Sequence, residues 1–142
     1  MAGNDKLDHL ATFELFRRVP RKSLSRVATM VGEPVMVAAG HLLTEQGRLA
    51  TEAYLVIDGT ADVFVGARAV AEIGPGETIG EMAVVDQLPR SAYVVARTPM
   101  RLYLVPAERF LEMLDDVPTV ARGLIQLLSA RLRRLDIRSP DF

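Results

Sequence analysis

Apolar residues fall into three textures along the chain. From Leu7 to Phe16, the residues Leu7, Leu10, Ala11, Phe13, Leu15 and Phe16 make a mixed helical pattern. Pro20 breaks it and suits the entrance of a second helix, in which Leu24, Val27, Ala28 and Val31 recur at spacings of three and four. Gly32 is a fitting stop for that helix, so an N-terminal helical part is expected over 7–31. From Glu33 to Val105 the texture changes to short β-branched runs, each closed by glycine or proline. They are Pro34–Ala38, Leu42–Thr44, Ala53–Asp58, Thr60–Val65, Arg68–Ile73, Ser91–Ala96 and Met100–Val105. Turn signals at such short intervals predict a β-sandwich or β-roll over 33–105, not a βαβ fold. Val65-Gly66-Ala67-Arg68 reads as a tight hairpin. After Pro106 the helical period returns over 107–136. Phe110, Leu111 and Leu114 mark a short helix, and Pro118 opens a longer one carrying Val120, Ala121, Leu124, Leu127, Leu128, Leu132 and Leu135. No repeat, low-complexity tract or linker interrupts this order, so 1–142 reads as a single, mainly β domain with flanking helices.

Composition narrows the classes. The chain has 142 residues, 49% hydrophobic and 25% charged, enough length and apolar content for a globular core. A net charge of −1 gives no overall attraction to nucleic acid or anionic membrane. Arginines gather near both ends: Arg17, Arg18, Arg21 and Arg26, then Arg131, Arg133, Arg134 and Arg138. The C-terminal group complements the dipole of the long helix and is expected to form a solvated face. Cysteine is absent, which excludes disulfides and thiolate metal sites. No signal core or run of about 18 apolar residues occurs, so the expected setting is cytoplasmic, with no membrane partner. The mean hydropathy of +0.18 is high for a small soluble domain and hints at apolar surface covered by a partner.

One stretch carries unusual chemistry. Glu77-Thr78-Ile79-Gly80-Glu81-Met82-Ala83 is a short loop whose backbone N–H groups suit an anion. Seven residues after Ala83, Arg90 follows Pro89 at the mouth of the apolar strand containing Tyr93, Val94 and Val95. An arginine fork beside free amides makes a phosphate site. Glu81 is an odd neighbour for phosphate unless it holds something else, and a ribose hydroxyl is the obvious candidate. The stretch therefore predicts a small pocket for a sugar phosphate. The competing reading is that Glu81 and Arg90 simply pair with each other. His9 and His41 lack partner acids at ligand spacing and read as surface residues, which argues against metal-dependent enzymes built on β-rolls. No catalytic motif is present, so the chain is not expected to be an enzyme.

The order of helices, β-roll, short helix and long helix resembles the cyclic nucleotide-binding domain family, over roughly Phe13 to Leu135. Gly80-Glu81-Met82-Ala83 through Pro89-Arg90-Ser91-Ala92 follows that family's phosphate-binding cassette. Gly40, Gly47 and Tyr54-Leu55-Val56-Ile57-Asp58-Gly59 fall in place beside it. The resemblance implies a jelly-roll-like double-stranded β-helix and a role for each residue. Glu81 would accept from the ribose 2′-OH, and the amides of Met82 and Ala83 would face the cyclic phosphate, with Gly80 allowing close approach. Arg90 would pair with the phosphate charge. Ser91 would add a hydroxyl to phosphate or purine, unless it bonds backbone. Val63, Val70 and Ile73 are the weaker candidates for contact with the base.

The resemblance further implies a sensor without catalysis, binding cAMP in preference to cGMP because Arg90-Ser91-Ala92 resembles a triplet of bacterial members. The C-terminal helix would move on binding. Relatives that read DNA continue into a helix-turn-helix after this point, so nucleic acid is not an expected partner. The expected output passes to a separate effector protein or through self-association. Leu124, Leu127 or Leu128, and Leu132 through Leu135 have coiled-coil-like spacing, which fits either a homodimer along the 118–135 helix or packing on the β-roll. The alternative is an interaction module of the same fold that no longer binds nucleotide.

Overall fold

The structure is a computed structural model that describes residues 2–138; side chains are described for residues 5–134. Helix α1 (Ala2–Leu10), a 3₁₀ turn (Glu14–Phe16) and α2 (Arg21–Met30) precede the strands. Eight strands follow: β1 (Val35–Val37), β2 (Leu42–Thr44), β3 (Glu52–Asp58), β4 (Ala61–Val65), β5 (Arg68–Ile73), β6 (Thr78–Ile79), β7 (Tyr93–Ala96) and β8 (Met100–Pro106). Helix α3 (Glu81–Asp86) lies between β6 and β7, and α4 (Ala107–Asp116) and α5 (Pro118–Arg138) close the chain. The strands form two four-stranded antiparallel sheets, ordered β1-β8-β3-β6 and β2-β7-β4-β5. Most successive strands alternate between the sheets, which is the jelly-roll-like double-stranded β-helix expected. The β4–β5 hairpin turns at Gly66, as predicted.

Strand β3 shows why there are two cores. Its run Ala53-Tyr54-Leu55-Val56-Ile57 is buried throughout. Tyr54 and Val56 point between the sheets, where they meet Leu43, Ile79, Val94, Met100 and Leu102. Ala53, Leu55 and Ile57 point the other way, onto a larger cluster with Phe13, Phe16, Leu24, Phe110 and Leu124 from the helices. Period-two alternation thus serves both faces of one strand. The helices are one layer on the outside of the first sheet. Strand β5 lies at the free edge of the second sheet and is mostly exposed, with Arg68 and Glu72 on it, charges that discourage further strand pairing.

Three expectations change. The first helix begins earlier than Leu7 and ends at Leu10, not Phe16. Backbone bonds tighten from Ala11 N–H to Leu7 O into Thr12 to His9 and Phe13 to Leu10, and the Glu14 N–H then bonds Gly76 O in the roll. The helical ladder is abandoned for a tertiary partner, so Phe13, Leu15 and Phe16 are all buried without sharing a helix face. His9 is half-buried rather than a surface residue. Its ring packs beside Phe13 and Tyr103, whose hydroxyl is 3.3 Å from His9 Nδ1. The stretch read as a loop contains the two-residue β6 and the helix α3, both too short to show a period.

In the expected leucine seam, Leu124 is buried and Leu127 and Leu128 pack on the outer core. Leu132 is exposed, as is Ile125 seven residues earlier. The side chain of Leu135 lies outside the described residues. Among the described residues, no helix is long and apolar enough to cross a membrane.

Candidate nucleotide site

A cavity of about 360 Å³ opens beside the second sheet. Val63, Ala71, Ile73 and Val94 make its apolar wall, and the β6–α3 junction and the segment before β7 make its polar wall. Gly80 sits at the junction with φ +79°, ahead of the first turn of α3. A Cβ there would stand 2.1 Å from Arg90 Nη1. Both the left-handed backbone and the guanidinium's closeness require glycine. Gly80 offers α3 no side-chain cap, so first-turn amides remain unspent at the positive end of the helix dipole.

Arg90 is held from both ends. Its backbone N–H donates to Arg48 O at 2.7 Å, and its carbonyl accepts from Gly47 N–H at 2.8 Å. The guanidinium donates from Nη1 to Gly80 O at 2.9 Å and from Nη2 to Glu52 O at 2.6 Å. Two of its five N–H donors are used in this way. The residue is only 7% exposed, and among the described residues it is in no ion pair. Burial lowers its pKa, while Glu52, Tyr54 and Glu81 oppose that shift. Tyr54 supports the wall from β3, donating to Glu52 Oε1 at 2.5 Å. Its phenol is pushed well above the usual tyrosine range, first by burial and then by this bond to a carboxylate.

Glu81, the first residue of α3, is 3% exposed. It does not pair with Arg90. Its Oε1 accepts from Arg131 Nη1 at 2.5 Å, across from α5.

A family model described as the cyclic nucleotide-binding domain matches residues 34–117, which hold both sheets and the whole cassette. The chain belongs to this family. It is 38% identical over 97 residues to the cyclic AMP receptor protein of Thermus thermophilus, covering 65% of this chain and 45% of that protein. It is 31% identical over 113 residues to a Pycsar effector protein of Xanthomonas perforans, covering 79% of this chain and 37% of that one. The crystal structure of the Thermus thermophilus catabolite activator protein superposes with a TM-score of 0.77 at 30% identity, covering 88% of this chain and 61% of that one. The chain spans less than half the length of these two curated relatives.

Of the residues expected at a cyclic nucleotide site, Gly80, Glu81, Met82, Ala83, Arg90, Ser91, Val63 and Ile73 all line the cavity. Met82 is 53% exposed, so its backbone rather than its side chain is the relevant part. Val70 is a correction: it does not line the cavity and is 49% exposed. The β4–β5 register shifts here, Val63 pairing with Ala71 and Phe64 with Ala69, so Val70 is the unpaired extra residue of a bulge. Ala71, opposite Val63 in register, takes its place.

The C-terminal arginines need correction too. Arg131 and Arg134 line the cavity instead of forming a purely solvated face. Their spacing of three put them on one helix face and was the available signal. Both lie beyond the stretch that the family model matches. Among the described residues no group of three or more His, Asp or Glu is placed to hold a metal ion.

Proposed function

We propose that this domain is a sensor that binds a 3′,5′-cyclic nucleotide in the cavity, cAMP in preference to cGMP, and passes the event on through α5 to a partner protein or a second copy. The observation that carries the reading is Arg90, a buried cation held by two carbonyls and, among the described residues, in no ion pair. Carbonyl dipoles, with Glu52 and Glu81 near it but in no ion pair with it, leave its charge only partly compensated, and an anion placed against its remaining N–H donors and the α3 amides completes the compensation. A monoanionic cyclic phosphate supplies that charge. Glu81, nine residues before Arg90 in sequence and on the same cavity, accepts the ribose 2′-OH, and Ser91 adds a hydroxyl at the rim. Val63 and Ile73, joined by Ala71, face the base. The cavity volume suits one small ligand, being near the low end of the roughly 300–1,000 Å³ usual for ligand sites. The preference for cAMP is supported by the Thermus relative's name and by the Arg90-Ser91-Ala92 triplet.

Isothermal titration with cAMP, cGMP and 5′-AMP tests the reading. The cassette contacts ribose and phosphate rather than base, so pyrimidine cyclic nucleotides belong in the same series. Saturable heat with a cyclic nucleotide, weak or absent with 5′-AMP and abolished in Arg90→Ala, is expected. Neither heat nor thermal shift with any of them at hundreds of micromolar overturns it. The Arg131–Glu81 ion pair favours a second reading, an interaction module that no longer binds nucleotide, because one oxygen of the cavity's carboxylate is already engaged by the protein's own side chain. That reading predicts that Arg90→Ala changes no partner interaction.

A further inference from the structure

We propose that the domain carries a second ligand site, between α1 and β8 on the helical side of the first sheet, built for a small zwitterion of the free amino-acid class. It goes beyond the nucleotide reading and shares no lining residue with that cavity.

The site is a cavity of about 260 Å³ enclosed by α1, the connection from α2 to β1, and β8. Arg101 and Tyr103 are two apart on β8 and share the face opposite Leu102, which is buried between the sheets. Asp5 and His9 are four apart on α1 and share a face of that helix. Lys6 fixes this wall in place. Its ammonium donates to Ala28 O and Val31 O, at the end of α2 where helical carbonyls lack partners of their own. Glu33 and Pro34, just after α2, make the third side.

Floor and rim differ in character. The floor is Tyr103, 4% exposed, with the His9 ring tilted against it. The Tyr103 hydroxyl lies 3.3 Å from His9 Nδ1, which leaves the phenol oxygen able to serve a further partner. The rim carries two cations, Lys6 and Arg101, and two carboxylates, Asp5 and Glu33. Burial raises the Tyr103 pKa, and of the two charges acting on the phenol Arg101 lowers it and Glu33 raises it. Both charges therefore bear on the same group. Yet among the described residues neither Arg101 nor Glu33 is in an ion pair. A guanidinium fork and a carboxylate stand apart over one aromatic floor.

Such a rim selects for charge of both signs. A simple anion drawn to Arg101 also meets Asp5 and Glu33, and a simple cation drawn to those carboxylates meets Arg101 and Lys6. A molecule bearing a carboxylate and an ammonium satisfies both, the first in the planar fork of Arg101 and the second at Glu33. The face of the Tyr103 ring suits an ammonium as well. The cavity is somewhat smaller than the roughly 300–1,000 Å³ usual for ligand sites, which fits a compound of amino-acid size.

The test reads the ring protons of the whole chain by NMR. With two histidines and three tyrosines present, the His9 and Tyr103 signals are separable. The common free L-amino acids are titrated at neutral pH. For each binder, the acid lacking its amine and the amine lacking its acid serve as single-charge probes. Saturable shifts of His9 and Tyr103 with at least one amino acid are expected, with His41 unmoved. The single-charge probes, and the variants Arg101→Gln and Glu33→Gln, are expected to bind about 10–100-fold weaker, the span for losing one hydrogen bond to a charged group. Both substituted residues are exposed, so the variants keep the fold. No saturable shift with any amino acid at tens of millimolar overturns the proposal. So does a single-charge probe that binds as tightly as its parent, an affinity unchanged in either variant, or equal movement of His41. No cyclic nucleotide enters this experiment, so its failure leaves the nucleotide reading standing.

Discussion

At the scale of single residues, the site depends on one glycine and one arginine being placed for each other. Gly80 turns the chain from β6 into α3 and, lacking a Cβ, lets the Arg90 guanidinium reach its carbonyl. Gly80→Ala meets two costs, a left-handed backbone of about 1–2 kcal/mol and a collision with Arg90 Nη1. We expect a Tm lower by several degrees in calorimetry, with loss of nucleotide heat in titration. Arg90→Lys keeps the charge and loses the fork, so Gly80 O and Glu52 O cannot both be served. Hydrogen bonds to charged groups are worth about 1.5–3 kcal/mol, and titration should show affinity weaker by about 10–100-fold. An unchanged affinity in the lysine variant would show that the guanidinium does not grip the ligand.

At the scale of elements, α5 is the part whose behaviour is hardest to guess from its own pattern. Its leucines suit a coiled-coil seam, yet Leu124, Leu127 and Leu128 are engaged with the outer core and Ile125 and Leu132 are left exposed. The close approach of Gly123 to Leu15 O sets how near the helix lies to the body. Gly123→Val pushes a branched side chain into backbone. Overpacking of this kind costs about 1–3 kcal/mol, read as a lower urea midpoint with an unchanged m value. A variant as stable as wild type would mean that α5 is not docked there.

At the scale of the whole molecule, the buried phenol of Tyr54 links stability to alkaline pH. Its folded pKa is raised above the ordinary 10.0, so above that pH the folded state keeps a proton that the unfolded state has lost. Stability therefore falls as pH rises through about 10. Tyr103 is shifted in the same direction by burial and adds to the fall. Chemical denaturation between about pH 9 and 11 should show a shallower decline for Tyr54→Phe than for wild type. Equal slopes would place the titration elsewhere. On the proposed reading, saturating cyclic nucleotide is expected to raise Tm, because preferential binding stabilises the folded state by about 2.7 kcal/mol at a hundredfold excess over Kd.

Most of the architecture was legible in the order of residues. Period-two runs bounded by glycine and proline marked most of the strands, and the cassette from Gly80 to Ser91 marked the glycine, carboxylate and arginine of the cavity, because strand faces and turns are local properties. Val70 was misplaced because the register shift that leaves it unpaired arises only when β4 and β5 pair. What the order of residues did not decide is which distant groups meet. Glu81 and Arg90 are close in sequence and take different partners, one Arg131 from α5 and the other two carbonyls, at Gly80 and at Glu52 on β3. The first helix stops where Glu14 finds Gly76, and His9 is half-buried because Tyr103 arrives from β8. Such pairings are set when sheets and helices pack together, and a side chain takes the partner that packing brings within reach.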